Sequence, residues 1–433
     1  MGLVVSKFLK TMKSRRSFLQ KLGVGVLGTT LPTIDSSAAP VFPVPNSLAD
    51  KSWDEIRKLF PLTQDRVYMN NGTFGPCPQM VIDAIAISYQ ETCTSGEYGN
   101  YDAVRPKIAE FFGIQETELC LTHNTSEGIN IMAWGLDLQA EDEVILTSHE
   151  HAGSAFPWLR RAELDKIKLV IFEPLPTAKE NLKLIQSLVS DRTKVIAIPH
   201  ISCTTGQVFP IREISAFAKS KDIITAIDGA HGAGTFNLNL HELGCDFYAG
   251  CFHKWMLGPA GTGFLYVREN RIDELKAIQI GAHSSDGWTL EPNYQHLENL
   301  VPTAHRYDYG TQSTPQRAGM GAAVDFHEAI GKDRIEQRVR ELSTYLYEGL
   351  QQIEGVEILT PQEPESRISI LTFRLDSLDY QDVQVELLGA GFRTRGIYEA
   401  GLNAVRISTH IYNSKDELDR LIAKVKELSL IVF

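Results

Sequence analysis

The chain has 433 residues, of which 43% are hydrophobic and 22% are charged, with a formal net charge of −12 at pH 7. This length predicts more than one hydrophobic core and a division into domains. The negative charge argues against nucleic acid or an anionic membrane as a partner. Six scattered cysteines set no disulfide framework: Cys77, Cys93, Cys120, Cys203, Cys245 and Cys251.

The N-terminus has the features of an export signal. Arg15 and Arg16 precede a Phe-Leu pair, a weakly apolar Gly-rich stretch and small residues near Ala38. The pattern indicates a twin-arginine signal peptide over residues 1–38, cleaved after Ala38, which would take the protein to the periplasm. The apolar run is too short and too interrupted to span a membrane, so no stable membrane anchor is expected.

Alternatives for this segment stay open. Translation could start at Met12, and a disordered basic tail is a further interpretation of the same residues. The opening MGLVVS also fits a myristoylation pattern, although the match is short. By resemblance to other twin-arginine substrates, the protein would cross through the twin-arginine translocase already folded and carrying its cofactor.

The rest of the chain predicts two domains of α/β character. A Pro-rich linker or N-terminal arm covers residues 39–60. Over residues 61–330, helix-period segments separate most of seven strand-like runs, which predicts a largely parallel sheet: ELCLT, DEVILT, KLVIFEP, KVIAIP, DIITAID, DFYAG and GFLYV. Residues 331–433 begin with a charged amphipathic helix, continue with short strands, and predict a smaller α+β domain.

The segment HNTSEGIN, at residues 123–130, joins a short strand to an apolar helical stretch. Free backbone amides at the start of that helix would form an anion site, to which Thr125 and Ser126 add hydroxyl groups. An ordinary helix N-cap with Glu127 in the first turn explains the same residues.

Two further groups lie at predicted strand ends. His151 follows DEVILT, where a flat imidazole could cover one face of an aromatic cofactor, although the local sequence alone does not separate it from His149. Arg406 ends the strand LNAVRIS in the last quarter of the chain. An arginine fork can hold a substrate carboxylate in two parallel hydrogen bonds, and structural ion pairing is the alternative.

The most informative stretch runs from Ile223 to Val267. Asp228 ends the strand IITAID, at the kind of position where open α/β sheets bind ligands. Lys254 follows an apolar run and stands between His253 and Trp255, where lost hydration favours its free amine as a nucleophile. A carboxylate and such a lysine suit pyridoxal phosphate, since the carboxylate can pair with the pyridinium nitrogen. A surface lysine and a turn-capping aspartate remain the simpler interpretation of the pair alone.

Other cofactors fit the motifs poorly. The strings GAHGAG and GPAGTG look like dinucleotide-binding fingerprints, but neither follows the first strand of a βαβ unit. A nicotinamide cofactor is therefore not expected. No CxxC or HExxH spacing occurs, so a metal site is not expected either.

Taken in order, these motifs resemble the class V aminotransferase family, and most closely its isopenicillin N epimerase-like branch. The resemblance covers roughly residues 55 to 430 and rests on HNTSEGIN, SHEHAGSAFPW, DGAHGAG, GCFHKW and RISTHIYNSKDELDRL. It implies a homodimeric fold-type I enzyme that binds pyridoxal 5'-phosphate, with a mainly parallel seven-stranded sheet and a smaller C-terminal α+β domain.

The resemblance also implies roles for individual residues. Lys254 would carry the cofactor, Asp228 would hold its ring nitrogen, and His151 would stack on the ring. The remaining implied contacts are the phosphate for Thr125, Ser126 and His253, the ring hydroxyl for His231, the partner subunit's cofactor phosphate for Thr311, and the substrate for Arg406 and Asn71.

The predicted function is action on the amine of an amino acid or of an amino-acid-containing metabolite, in an epimerase- or aminotransferase-like reaction. A carbon–sulfur lyase or a cysteine desulfurase-like enzyme is the alternative. The desulfurase reaction needs a thiolate on a mobile loop before the substrate arginine, and GAGFRTRGIYEAGLNAVR contains no cysteine. As an exported member of its branch, the chain resembles periplasmic enzymes that tailor siderophore side chains, such as those of pyoverdine maturation.

Overall fold

The computed structural model of the protein describes residues 47–431. The predicted signal peptide over residues 1–38, with its cleavage site, and the first part of the predicted arm lie outside the described residues.

Strands and helices alternate along the chain from residue 119 to residue 228. The α-helices are α1 (Trp53–Arg57), α2 (Gln79–Ser95), α3 (Arg105–Phe112), α4 (Thr125–Gly135), α5 (Ala152–Asp165), α6 (Ala178–Leu188), α7 (Ile211–Ser220), α8 (Leu240–Leu243), α9 (Thr314–Ile330), α10 (Lys332–Leu350), α11 (Tyr380–Gly389) and α12 (Lys415–Ser429). The strands are β1 (Val67–Tyr68), β2 (Leu119–Thr122), β3 (Glu143–Thr147), β4 (Lys168–Phe172), β5 (Thr193–Pro199), β6 (Ile224–Asp228), β7 (Phe247–Cys251), β8 (Gly263–Val267), β9 (Trp288–Glu291), β10 (Tyr294–Leu297), β11 (Val356–Ile358), β12 (Ile370–Leu375), β13 (Phe392–Arg393), β14 (Arg395–Ile397) and β15 (Ala404–Ser408).

A seven-stranded sheet forms the centre of the larger part of the fold. Its strand order is β2-β8-β7-β6-β5-β3-β4, and only β8 runs antiparallel to its neighbours. All seven strand-like runs identified in the sequence are strands of this sheet, so the predicted mainly parallel sheet is confirmed.

The sheet is buried on both faces, as expected when crossover helices cover a parallel sheet. Along β7, Tyr248 belongs to one hydrophobic core while Phe247 and Ala249 belong to the other. Helices α2, α3 and α7 cover the first face, and α4 and α5 cover the second. This burial explains why the strands appear in the sequence as nearly continuous apolar runs.

A smaller C-terminal domain is also confirmed. Its four-stranded antiparallel sheet has the order β11-β12-β15-β14 and packs against α10, α11 and α12. The early strand β1 pairs with β13, and Asn70 bridges to Ser408. The chain before α2 therefore contacts the small domain and brings residues 70–73 beside β15. The predicted boundary between residues 330 and 331 stays a prediction.

The described part of the predicted arm is packed rather than extended. Leu48, Ile56 and Phe60 share a hydrophobic cluster with Phe326 and Ile330, because α1 and its flanks lie against α9. Within residues 47–431, no helix is both long enough and apolar enough to cross a membrane.

Candidate active site

A cavity of about 240 Å³ lies where the carboxyl ends of β2, β3, β6 and β7 meet β14 and β15. The carboxyl ends of parallel strands lie at one edge of a sheet, where α/β folds bind their ligands. The cavity brings together eight of the ten residues predicted for the site, namely Thr125, Ser126, His151, Asp228, His231, His253, Lys254 and Arg406.

Lys254 follows β7, and its Nζ lies 3.3 Å from Nε2 of His231. Trp255 donates its Nε1–H to Nδ1 of His231 over 3.0 Å. Burial holds the pKa of His231 well below its usual value, so the ring is neutral and its proton is on Nε2. The Nε2–H therefore faces Nζ, and the contact holds the lysine side chain at the cavity.

Asp228 ends β6 and is 7% exposed. Its Oδ1 accepts the backbone N–H of Ala230 over 2.9 Å, which fixes the carboxylate at the cavity wall. Lys254 lines the same cavity and follows β7, the parallel neighbour of β6. The lysine and the carboxylate singled out in the sequence thus belong to one site.

The N-terminus of α4 forms the anion-binding side of the cavity. The N-cap Asn124 accepts the N–H of Glu127 through Oδ1 over 2.9 Å, which leaves the first-turn residues Thr125 and Ser126 on the wall. Oγ1 of Thr125 and Nδ1 of His253 are buried, and neither has a hydrogen-bond partner among the described residues. A phosphate group would supply the acceptor oxygens that this helix start and these atoms lack.

The imidazole of His151 is held in place by the helix that follows it. As the N-cap of α5, His151 accepts the N–H of Gly153 through Nδ1 over 3.0 Å. Burial lowers the pKa of His151, and the charge of Lys254 lowers it further. A neutral ring fixed at the cavity wall suits stacking on an aromatic cofactor, and that stacking stays a prediction.

Arg406, on β15 of the small domain, is 2% exposed and also lines the cavity. Its Nη1 donates to the carbonyl oxygen of Cys203 over 2.7 Å, and its Nη2 donates to Oγ1 of Thr73 over 2.9 Å. Burial lowers the pKa of Arg406 to about 10, with a further contribution from the charge of Arg395. The guanidinium is still a cation at neutral pH, as binding a carboxylate requires.

The other two predicted residues lie away from the cavity. Asn71 is fully buried; its Oδ1 accepts the hydroxyl of Tyr412 over 3.0 Å and its Nδ2 faces the carbonyl oxygen of Lys254 at 3.4 Å. Asn71 therefore supports the backbone of Lys254, and its predicted substrate contact stays a prediction. Thr311 is exposed in the loop before α9, and its predicted contact with a partner subunit stays a prediction.

Nine further residues line the cavity beside the eight predicted ones, among them Cys203 and Arg395. Cys203 and Arg395 both line the wall near Arg406. From the sequence, Cys203 follows a strand end and is interpreted as structural. Arg395 and Arg393 flank Thr394 in a loop that could cover the site, and they are the alternative ligands for the substrate carboxylate if Arg406 does not bind it. Which of the two reaches the cavity depends on the register of β14 with β15. The sequence offers no direct signal for that register.

These residues define a site for a phosphorylated cofactor that a lysine can bind covalently, with a separate cation for a carboxylate substrate. The model of the aminotransferase class-V family matches residues 75–421. The chain belongs to that family, as its motifs predicted, and it is a pyridoxal-phosphate-dependent enzyme.

Individual relatives differ in what they are called. A probable cysteine desulfurase of Halalkalibacterium halodurans is 29% identical over 86% of this chain and 98% of its own length. The isopenicillin N epimerase of Amycolatopsis lactamdurans is 26% identical over 87% of this chain and 99% of its own length. The solved structure of the cystine C–S lyase C-DES with its product cysteine persulfide has a TM-score of 0.77, at 26% identity over 85% of this chain and 99% of that one.

Proposed function

We propose that this enzyme carries pyridoxal phosphate on Lys254 and acts at the α-carbon of an amino acid, or of an amino-acid residue within a larger metabolite. The proposed reaction is of the epimerase or aminotransferase kind. The observation that carries the proposal is that Lys254, Asp228 and Arg406 line one cavity.

Each side chain of the cavity has a separate role in the proposed reaction. Bound pyridoxal phosphate supplies an electron sink for negative charge at the substrate α-carbon. Asp228 keeps a proton on the ring nitrogen by offering its carboxylate there. Arg406 holds the substrate carboxylate in a fixed orientation, and Lys254 Nζ moves a proton to or from the α-carbon. His231, whose Nε2 lies 3.3 Å from Nζ, holds the lysine side chain in position within the cavity.

The alternative function is a carbon–sulfur lyase or a cysteine desulfurase-like enzyme. The relatives named as desulfurases and the C–S lyase structure favour it. Against a desulfurase, the described segment between β13 and β15 contains no cysteine. Burial raises the pKa of the Cys203 thiol to about 11 and also raises that of Cys251, so neither cysteine of the cavity offers a ready thiolate. Direct elimination needs no thiolate and is not affected by this argument.

We further propose that the enzyme is exported by the twin-arginine route and acts in the periplasm as a homodimer. Residues 1–38 support the export. Exposed apolar side chains on α2 and on the β9–β10 hairpin support contact between subunits, including Ile82, Ile87, Trp288 and Leu290. Cell fractionation and light scattering of the purified protein test these two statements, and a cytoplasmic monomer would contradict both.

The reaction proposal is tested with the purified full chain. We expect a cofactor absorbance band near the visible edge that borohydride abolishes, and a reduced adduct on the peptide that contains Lys254. Amino acids incubated with the protein in deuterated water should then exchange their α-hydrogen. Rapid release of sulfide from cysteine or cystine, without α-exchange of other amino acids, would favour the lyase. Absence of the reducible band would contradict both functions.

A further inference from the structure

Two arginines stand directly opposite each other at the cavity. Strands β14 and β15 are antiparallel, and their register pairs Arg395 with Arg406. Side chains opposite each other in such a pair have Cβ atoms about 4.5–5.5 Å apart, and like charges in these positions repel. Both side chains line the cavity, so their charges meet at the place where the proposed substrate binds.

The charge of Arg395 is incompletely paired. Nη2 of Arg395 contacts Oε1 of Glu399, four residues along the chain. Nη1 of Arg395 and Oε2 of Glu399 are both buried, and neither has a hydrogen-bond partner among residues 47–431. A guanidinium and a carboxylate that fitted each other well would use both nitrogens and both oxygens. Glu399 therefore pairs poorly with Arg395, and a carboxylate with better geometry could replace it.

The other charged groups of the cavity do not balance the two arginines. Asp228 is the carboxylate among the described lining residues, and it lies on the cofactor side at the end of β6. One substrate carboxylate can satisfy Arg406, whose Nε is also buried without a partner among the described residues. The charge of Arg395 then has only the single contact with Glu399 within residues 47–431.

We infer that the substrate carries a second anionic group on its side chain, a carboxylate in the first instance, and that Arg395 binds it while Arg406 binds the α-carboxylate. This inference rests on the proposed function and specifies its substrate class. A carboxylate that offers two oxygens to Nη1 and Nη2 makes two charge-assisted hydrogen bonds in place of one. Binding it releases Glu399 from Arg395.

The position of Glu399 permits that release. It lies in a short 3₁₀ turn, Glu399–Gly401, beside Tyr398, which is 66% exposed. Ala400 has a φ of +53°, a left-handed conformation that is strained for a residue with a side chain. A strained surface turn can rearrange without disturbing the core, so the carboxylate of Glu399 can leave as the substrate enters.

The test uses the cofactor-loaded enzyme and pairs of amino acids that differ only in side-chain charge, namely glutamate with glutamine and aspartate with asparagine. The change in cofactor absorbance on titration gives a dissociation constant for each. Because hydrogen bonds to charged groups are the strong ones, we expect wild type to bind the acid roughly 10- to 100-fold more tightly than its amide.

Three variants test which residue causes the preference for the acid over its amide. Arg395→Gln should remove the preference by weakening the acid to the level of the amide. Glu399→Gln should strengthen the acid and leave the amide unchanged. Arg393→Gln is the matched control, because Arg393 loses the same charge on the neighbouring strand β13 but does not line the cavity. We expect it to behave as wild type.

The outcomes separate this inference from the proposed function. Equal binding of acid and amide by wild type would overturn the inference, and so would an Arg395→Gln variant that weakens both equally. In either case the reducible cofactor band would persist, whereas failure of the proposed function removes that band. As a second measurement, glutarate, which has no amine, should raise the melting temperature of wild type more than butyrate does. If glutarate and butyrate raise the melting temperature equally, the inference is also overturned.

Discussion

The two sides of the cavity are built in different ways. On the lysine side, Asp228, Lys254 and the start of α4 follow three strands of the central sheet, and their backbones are fixed because that sheet is buried on both faces. On the arginine side, Arg395 and Arg406 belong to a four-stranded antiparallel sheet and depend on its register. The lysine side has the polar atoms that a phosphate needs, while the arginine side has excess positive charge.

The difference between the two sides indicates that the catalytic groups and the groups that determine substrate preference are held by different domains. Groups fixed by the central sheet are those that a bound pyridoxal phosphate requires, whatever the substrate. Groups on the small domain are those that we propose to face the substrate, and the turn Glu399–Gly401 among them is strained. Changes on the lysine side should therefore abolish the reaction, whereas changes on the arginine side should alter affinity and preference.

The largest effect is expected for Lys254. Lys254→Ala removes the amine that we propose to carry the cofactor and to move the proton, so kcat should fall roughly 10²- to 10⁴-fold or more, and the reducible absorbance band should disappear. Lys254→Arg should do the same, because a guanidinium does not form the covalent bond. Lys276→Ala is the control, since Lys276 is an exposed lysine paired with Asp137. A reducible band in Lys254→Ala would show that another residue carries the cofactor.

The next effect is expected for Arg406. Arg406→Ala removes a buried charged contact, so substrate binding should weaken by about 2 to 4 kcal/mol while cofactor binding is unchanged. The measurement is a substrate titration followed through the cofactor band, with thermal unfolding to check the fold. An unchanged substrate constant would assign the α-carboxylate to Arg395 and contradict the division of roles between the two arginines.

The lysine side was predictable from the sequence because each of its groups follows a strand-like run. IITAID and DFYAG both became strands of the central sheet, so Asp228 and Lys254 had to lie at the same edge. The arginine side was predictable only in part. Arg406 was found by its strand and by family resemblance. Arg395 was named with Arg393 as an alternative carboxylate ligand, and only the pairing of β14 with β15 distinguishes the two.

The burial of Asn71 could not be predicted from the sequence, because local turn signals do not say which side chain of a loop is buried. In the structure, its neighbours Asn70 and Thr73 contact Arg406, while Asn71 itself supports the backbone of Lys254. This distinction depends on how the loop packs between the two domains. Such packing brings together residues more than 300 positions apart in the chain, which no local pattern reveals.

A smaller effect is expected for Gly72. A Cβ at this position would lie 2.9 Å from Oγ of Ser408 and 3.2 Å from Nη2 of Arg406, so the guanidinium would have to shift. Gly72→Ala should weaken substrate binding by about 1 kcal/mol, roughly fivefold, and leave the cofactor band unchanged. Gly389→Ala is the control, because a Cβ there meets no atom within 4 Å. Loss of cofactor binding in Gly72→Ala would show that the two sides are not independent.

The smallest effect is expected for Cys203, although it lines the cavity beside Arg406. With its thiol pKa raised to about 11 by burial, on the order of one molecule in ten thousand has the thiolate at pH 7. Cys203→Ala should therefore change the activation free energy obtained from kcat/KM for amino-acid substrates by less than about 0.5 kcal/mol.

Incubation with cysteine and a reductant should release little sulfide from either wild type or Cys203→Ala. Rapid release by wild type that Cys203→Ala abolishes would identify Cys203 as a sulfur carrier and the enzyme as a desulfurase. Rapid release that survives replacement of all six cysteines would instead establish direct carbon–sulfur elimination on the lysine side.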